Sequence, residues 1–160
     1  MALSVGDTIP SVTLMTMNVD GLKPVESGEV LGQGKVVLFA VPGAFTPTCS
    51  DHHLPGFVML ADEILAKGVD RIACISVNDA FVMGAWGNAQ RTGGKILMLA
   101  DGSGEFTAQA GLELDLSGIG LGTRSQRYAA ILEDGVVRDI FVEEGRGVDV
   151  SSADAVLKAL

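Results

Sequence analysis

An unbroken apolar run over residues 36–41, Val-Val-Leu-Phe-Ala-Val, is followed directly by Pro42, Gly43 and then a helical pattern. A continuous apolar run is typical of a strand buried on both faces, because neither set of its alternating side chains faces water. From Ser50 onward, apolar residues recur at helical spacing, namely Leu54, Phe57, Val58, Ala61, Ile64 and Leu65. The run therefore predicts a buried strand that turns sharply into a helix, which Gly68 ends and Pro55 kinks or divides.

Similar patterns occur along the rest of the chain. They predict strands over residues 12–17, 72–77, 95–100, 127–132 and 136–142, and helices over residues 80–91, 104–110 and 153–160. Asp134 and Gly135 predict a hairpin between the last two strands. Strand and helix alternate first and a hairpin follows, which indicates an α/β fold with a central mixed sheet and helices on both faces. With 160 residues, the chain 1–160 is expected to be a single domain.

The composition excludes several classes of function. A net charge of −9 and a pI near 4.5 argue against nucleic acid, whose phosphates require a basic patch. Two cysteines do not make a secreted disulfide framework and fit a reducing compartment. No apolar stretch approaches a membrane span, and the first residues show no secretory signal. We therefore expect a cytoplasmic protein with no membrane partner, although a targeting segment removed before Met1 would leave no trace.

Cys49 is the residue that carries chemistry, because it lies where the predicted strand and turn give way to the helix. The unpaired N–H groups and the dipole of a helix start favour a thiolate, which is the reactive form of cysteine. A helix end supplies at most ~2 kcal/mol, so a cation and direct hydrogen bonds must contribute as well. Thr46 offers a hydroxyl near the sulfur, and Arg127, with Arg124 as its competitor, offers a guanidinium.

Three segments of the chain resemble one known family. Residues 42–50, Pro-Gly-Ala-Phe-Thr-Pro-Thr-Cys-Ser, continue through His-Leu-Pro-Gly-Phe at 53–57 and look like the active-site segment of the peroxiredoxins. Within that family the segment is most similar to the type II, peroxiredoxin-5-like group. Residues 71–83, which contain Cys74, resemble the second-cysteine strand of the plant-type members, and residues 123–129 resemble the region of the active-site arginine.

This resemblance implies a thioredoxin-like fold and a thiol-dependent peroxidase that reduces hydrogen peroxide and alkyl hydroperoxides. Cys49 would attack the O–O bond and become a sulfenic acid, with Thr46 and Arg127 as catalytic partners. Pro42 and the backbone N–H of Cys49 would complete the pocket, and Gly43 and His53 would support the site. A homodimer is also expected. The alternative function is a peroxide-sensing redox relay with little turnover of its own.

Cys74 has two possible roles. In peroxiredoxins of this kind the second cysteine often resolves the sulfenic acid, yet a mid-strand cysteine in an apolar run is commonly an inert core residue. A disulfide requires the two Cα atoms to come within about 4.4–6.8 Å, which a strand and a helix start do not reach without local unfolding. If Cys74 does not resolve the acid, an external thiol does so. As the resemblance implies, the reductant is then glutathione with glutaredoxin, or thioredoxin.

Two other motifs carry no cofactor chemistry. Asp51, His52 and His53 suggest a metal site, but adjacent helical residues do not share a face and the chain has no further histidine. The glycine-rich residues 118–122 precede a strand and do not join a strand to a helix, so they lack the arrangement of a dinucleotide-binding loop. We expect no metal and no cofactor, and we interpret residues 118–122 as a loop.

Overall fold

A computed structural model describes the whole chain from Met1 to Leu160. The strands are β1 (Thr13–Asn18), β2 (Gly21–Glu26), β3 (Lys35–Ala40), β4 (Arg71–Ser76), β5 (Ile96–Ala100), β6 (Glu113–Leu116), β7 (Gly122–Ser125), β8 (Tyr128–Glu133) and β9 (Val136–Val142). The α-helices are α1 (Ser27–Val30), α2 (Leu54–Leu65), α3 (Ala80–Ala89), α4 (Glu105–Ala110) and α5 (Ala153–Ala159). A π-helical segment, Cys49–His53, precedes α2, and a 3₁₀ turn, Ser117–Ile119, follows β6.

Seven strands form one mixed sheet in the order β2-β1-β5-β4-β3-β8-β9. The central strands β3, β4 and β5 are parallel, because α2 and α3 return the chain to the same end of the sheet between them. Strand β8 pairs antiparallel with β3, and β1 pairs antiparallel with β5. The predicted mixed sheet of an α/β, thioredoxin-like fold is therefore confirmed.

The buried side chains of β3 alternate between two apolar cores, one on each face of the sheet. Val37 and Phe39 lie in the core under α2, α3 and α5. Val36 and Leu38 lie in the opposite core, which α4 covers with Phe106. Both faces are thus covered by helices, which is why β3 needs no polar face. None of the helices is both long and apolar enough to span a membrane.

The hairpin expected at Asp134 and Gly135 is present, and both residues have positive φ, of 49° and 80°. Three strands were not predicted. Strand β2 is mostly exposed and contains Pro24, and β6 and β7 form a separate two-stranded sheet that is only partly buried. Strands with little buried surface carry no clear apolar pattern, so periodicity does not detect them.

Candidate active site

Cys49 is fully buried and is the first residue of the π-helical segment. The N–H of Leu54 donates to the carbonyl of Cys49, five residues earlier, which is the bond that defines this wider turn. Pro55, the second residue of α2, has no N–H to donate. The predicted helix is present, but its first part, Cys49–His53, has π-helical hydrogen bonding. The change to α-helix occurs just before Pro55, where the sequence predicted that the helix divides.

The guanidinium of Arg127 lies against the thiol. Tyr128 of β8 pairs with Ala40 at the end of β3, so Arg127 stands where the turn toward Cys49 begins. Its Nη2 donates to Cys49 Sγ over 3.2 Å. Arg127 is only 6% exposed and forms no ion pair with a carboxylate. A buried guanidinium without a counter-charge is unfavourable, and a thiolate at Cys49 supplies that charge.

His53 holds the other side of the guanidinium. Its Nε2 donates to the carbonyl of Ser151 over 2.9 Å, which leaves Nδ1 to accept from Arg127 Nη1 at 3.0 Å. Burial, and then the charge of Arg127, lower the pKa of His53 to about 4, although the Ser151 hydrogen bond acts in the opposite direction. The ring is therefore neutral at physiological pH. One arm of Arg127 is bound to His53 and the other to the sulfur.

The neutral state of His53 makes stability depend on pH. Between its ordinary pKa of 6.5 and its folded pKa of about 4, the unfolded chain binds a proton that the folded chain does not. The free energy of unfolding therefore falls as pH drops, by roughly 3 kcal/mol over that window. We expect His53→Gln to remove this contribution in denaturant titrations between about pH 7 and pH 4.5. His52→Gln, at an exposed position, is the control, and an equal pH dependence in both variants would contradict the prediction.

Thr46 lies in the turn ahead of Cys49 and is partly buried. Its hydroxyl donates to the carbonyl of Gly43 over 2.6 Å. Because this bond uses the hydroxyl proton, the oxygen lone pairs remain free to accept a hydrogen bond from another molecule. The hydroxyl oxygen of Thr46 is thus available as a hydrogen-bond acceptor, whereas Arg127 is a donor.

The turn itself is held from two sides. Arg124 donates through Nη1 to the carbonyl of Pro42 over 3.3 Å and through Nε to the carbonyl of Leu121 over 2.8 Å. A Cβ added at Gly43 would lie 2.9 Å from Arg124 Nη1, so a larger residue there would displace this guanidinium. Asn78 accepts from the N–H of Ala44 at 2.9 Å. Of the two candidate arginines, Arg127 contacts the thiol and Arg124 supports the turn.

Helix α3 contributes two contacts that sequence reasoning missed. Trp86 Nε1 donates to Ser50 Oγ over 3.0 Å, and Gln90 Nε2 donates to the carbonyl of Ser50 over 3.2 Å. Trp86 lies in α3 and Gln90, four residues later, directly follows the last residue of that helix, so both side chains reach the same turn. Together they hold the residue that follows Cys49. The single tryptophan of the chain was the only sequence signal for this contact.

Cys74 is fully buried in the middle of β4, opposite Phe39 on one side and Met98 on the other. It shares the core under α2 and α3 with Cys49, and the two cysteines are not bonded to each other. Burial, and secondarily the neighbouring Cys49, raise the pKa of the Cys74 thiol well above its ordinary value. Cys74 is therefore a protonated, poorly nucleophilic thiol in this conformation.

The two histidines of the candidate metal motif do not share an environment, because His52 is exposed and His53 is buried. Both ring nitrogens of His53 are already hydrogen-bonded. No group of three His, Cys, Asp or Glu side chains is arranged to hold a metal ion.

Residues 118–122 connect β6 to β7 through the 3₁₀ turn, as the loop interpretation expected.

Comparisons with known proteins agree with this geometry. The Redoxin family model matches residues 4–157. Peroxiredoxin-2B of Arabidopsis thaliana is 50% identical over 159 residues, which cover 99% of this chain and 98% of the relative. The chloroplastic Peroxiredoxin-2E of the same plant is 50% identical and is covered over 70% of its length, against 99% of this chain.

A solved structure shares the whole architecture. Reduced Prx3 from Vibrio vulnificus in complex with H₂O₂ superimposes with a TM-score of 0.93 and is 52% identical, with 98% of each chain covered. With the matching family model, the curated relatives and the mixed sheet, this likeness assigns the family. The chain is a member of the peroxiredoxin family, of the type II group typical of plants, and is a thiol-dependent peroxidase.

Proposed function

We propose that Cys49 is the thiolate that attacks the peroxide, with Arg127 and Thr46 as its catalytic partners. The observation that carries this proposal is the 3.2 Å hydrogen bond from Arg127 Nη2 to the buried Cys49 Sγ. It pairs a guanidinium that has no carboxylate partner with the only thiol that a cation contacts. Hydrogen peroxide and alkyl hydroperoxides are the proposed substrates.

The reaction balances as a displacement at oxygen. The sulfur lone pair forms an S–O bond to the terminal oxygen of the hydroperoxide while the O–O bond breaks, which yields the sulfenic acid of Cys49. The leaving oxygen takes the electron pair and then a proton from water, and departs as water or an alcohol. Arg127 donors stabilise the charge that develops on these oxygens. The free lone pairs of Thr46 accept the hydroxyl hydrogen of the peroxide and orient it.

The supporting residues keep this arrangement ready before the peroxide arrives. Pro42 and Gly43 shape the turn under Arg124, and His53 orients Arg127. Such pre-organisation means that little reorganisation is required during the reaction. We further propose that residues 1–160 act as a single domain. The support is that the seven-stranded sheet contains strands from both ends of the chain, β1 and β9 among them, and that α5 packs onto α2.

The sulfenic acid must then be reduced by a thiol. We propose glutathione with glutaredoxin, or thioredoxin, as the reductant. In the first route the glutathione sulfur bonds to the Cys49 sulfur and water leaves, and a second thiol releases Cys49. In the second route the Cys74 sulfur would bond to the Cys49 sulfur as water leaves, and thioredoxin would then reduce this disulfide. Because Cys74 is buried in β4 and protonated, this route requires the π-helical segment to unfold locally.

The thioredoxin route requires Cys74, whereas the glutathione route does not. We expect Cys74→Ser to retain most of its turnover with glutathione and glutaredoxin, and to lose a much larger share with thioredoxin, because glutathione bypasses the second thiol. Peroxide consumption with each reductant measures this difference. Non-reducing mass spectrometry of the peroxide-treated wild type is the direct check. Equal thioredoxin activity in the variant, with no Cys49–Cys74 disulfide in the wild type, would make Cys74 a core residue only.

A homodimer is proposed as the assembled form. The large exposed apolar side chains include Phe45 in the active-site turn, Phe81 at the start of α3 and Ile119 in the 3₁₀ turn. The segments before α3 and after β6 are hydrogen-bonded to the active-site turn through Asn78 and Arg124. Burial of such side chains against a second copy of the chain is the support for the dimer.

A cytoplasmic location is also proposed, and it is supported by two unpaired cysteines, which fit a reducing compartment. Peroxiredoxin-2E of A. thaliana is chloroplastic, so at least one relative of this chain works in an organelle.

A further inference from the structure

The hydrogen-bond chain that begins at Cys49 does not stop at His53. The carbonyl that accepts from His53 belongs to Ser151, a fully buried residue in the segment between β9 and α5. This carbonyl sets which ring nitrogen of His53 carries the proton, and hence which nitrogen is left to accept from Arg127. The position of Ser151 is therefore transmitted to the guanidinium.

Glu143 fixes Ser151. One oxygen of its carboxylate, Oε2, accepts from the N–H of Ser151 at 2.9 Å and from its hydroxyl at 2.7 Å. The same oxygen accepts from the N–H of Asp149 at 2.7 Å. Partial burial acts to raise the pKa of Glu143, but the hydrogen bonds from Ser151 and Asp149 outweigh it and lower that pKa. Glu143 is thus ionised, as an acceptor of three hydrogen bonds should be.

The backbone of Glu143 reaches the same arginine from the other direction. Val142, the last residue of β9, pairs with Tyr128 of β8. The N–H of Glu143 then donates to the carbonyl of Arg127 over 2.9 Å. Glu143 therefore holds the main chain of Arg127 directly and its side chain indirectly, through Ser151 and His53.

We propose that Glu143 is a positioning residue for peroxide reduction: acting through Ser151 and His53, its carboxylate holds Arg127 in the orientation that contacts Cys49. The inference rests on the proposed roles of Cys49 and Arg127. Displacements of about 1 Å at a reacting group can lower a rate by about a hundredfold. Loss of the carboxylate loosens Ser151 and then His53, so that Arg127 Nη2 is no longer held against the sulfur.

The alternative is that Glu143 only stabilises the turn that leads into α5. The two interpretations predict different behaviour of the Cys49 thiol. A residue that only stabilises the fold changes the free energy of unfolding, whereas a positioning residue also changes the reactivity of Cys49 and the pH at which it becomes reactive.

The test compares Glu143→Gln with Glu144→Gln. Glutamine keeps the size of the side chain and one acceptor oxygen but removes the charge. Glu144 is the adjacent residue of the same type, is exposed, and makes no side-chain hydrogen bond or ion pair. The readouts are the second-order rate of Cys49 oxidation by hydrogen peroxide and the pH profile of Cys49 alkylation by iodoacetamide, both measured in the Cys74→Ser background.

We expect Glu143→Gln to slow oxidation by about tenfold and to move the alkylation profile to higher pH, while Glu144→Gln matches the parent. In an Arg127→Ala background, Glu143→Gln should cause no further loss, because its effect passes through Arg127. Ser151→Ala, which removes one of the three hydrogen bonds, should give a smaller change in the same direction and serves as the second variant if Glu143→Gln does not fold.

Two results would overturn the inference. One is a Glu143→Gln or Ser151→Ala protein that unfolds more easily but has the parent oxidation rate and alkylation profile. The other is a full additional loss when Glu143→Gln is combined with Arg127→Ala. If the parent protein itself does not react with peroxide, the proposed role of Cys49 fails, which distinguishes that failure from the failure of the Glu143 inference.

Discussion

Replacing Cys49 with serine is expected to abolish peroxide reduction while the chain keeps its fold. Serine has nearly the same shape and its hydroxyl can still accept from Arg127 Nη2, so the packing around the buried position is retained. An alcohol is not appreciably ionised at neutral pH and cannot replace a thiolate as the nucleophile, so less than roughly 1% of the turnover should remain.

The other thiol does not rescue this variant. Cys74 is fully buried and its pKa is raised. Peroxide consumption with an excess of reductant measures the loss, and circular dichroism with thermal unfolding checks the fold. Cys74→Ser is the matched control, since it removes a buried thiol of the same core but should retain oxidation at Cys49. A folded Cys49→Ser protein with more than a few per cent of the wild-type turnover would refute the assignment.

The second large effect is expected at Arg127. Arg127→Ala removes the donor to Cys49 Sγ and the only cation in contact with it. Oxidation of Cys49 by hydrogen peroxide should slow by about 10²–10³-fold, the loss typical of a donor that stabilises developing charge. Alkylation of Cys49 should also require a higher pH, because the thiolate has lost its counter-charge.

Arg124→Ala is the matched control for Arg127→Ala. It removes the same charge from the neighbourhood of the turn but leaves the contact with the sulfur in place. We expect a smaller decrease in the oxidation rate, through loosening at Pro42, and little change in the alkylation profile. Arg127→Lys should fall between the wild type and Arg127→Ala, because an ammonium retains the charge but not the two-armed geometry. A larger effect for Arg124→Ala would show that the two arginines have been assigned the wrong way round.

Sequence patterns predict secondary structure correctly where the apolar side chains of an element are buried in the fold. Strand β3 and helix α2 were predicted because an unbroken apolar run and a helical repeat survive only if those side chains are buried. The thiol between them was recognised as reactive because a helix start favours a thiolate. Strands β2, β6 and β7 were missed for the complementary reason, since edge strands with exposed faces leave little apolar signal.

The sequence by itself determined the mixed α/β sheet, the peroxiredoxin family and the position of the candidate nucleophile, because these follow from residues close together in the chain. Only the tertiary structure decided between Arg124 and Arg127, since the pairing of β8 with β3 places one guanidinium at the sulfur and the other over the turn. Only the tertiary structure, too, shows that Glu143 and Ser151 are connected to His53 by hydrogen bonds. The His53 contact is to a backbone carbonyl, which every residue type carries, so only the folding of distant segments against one another creates it.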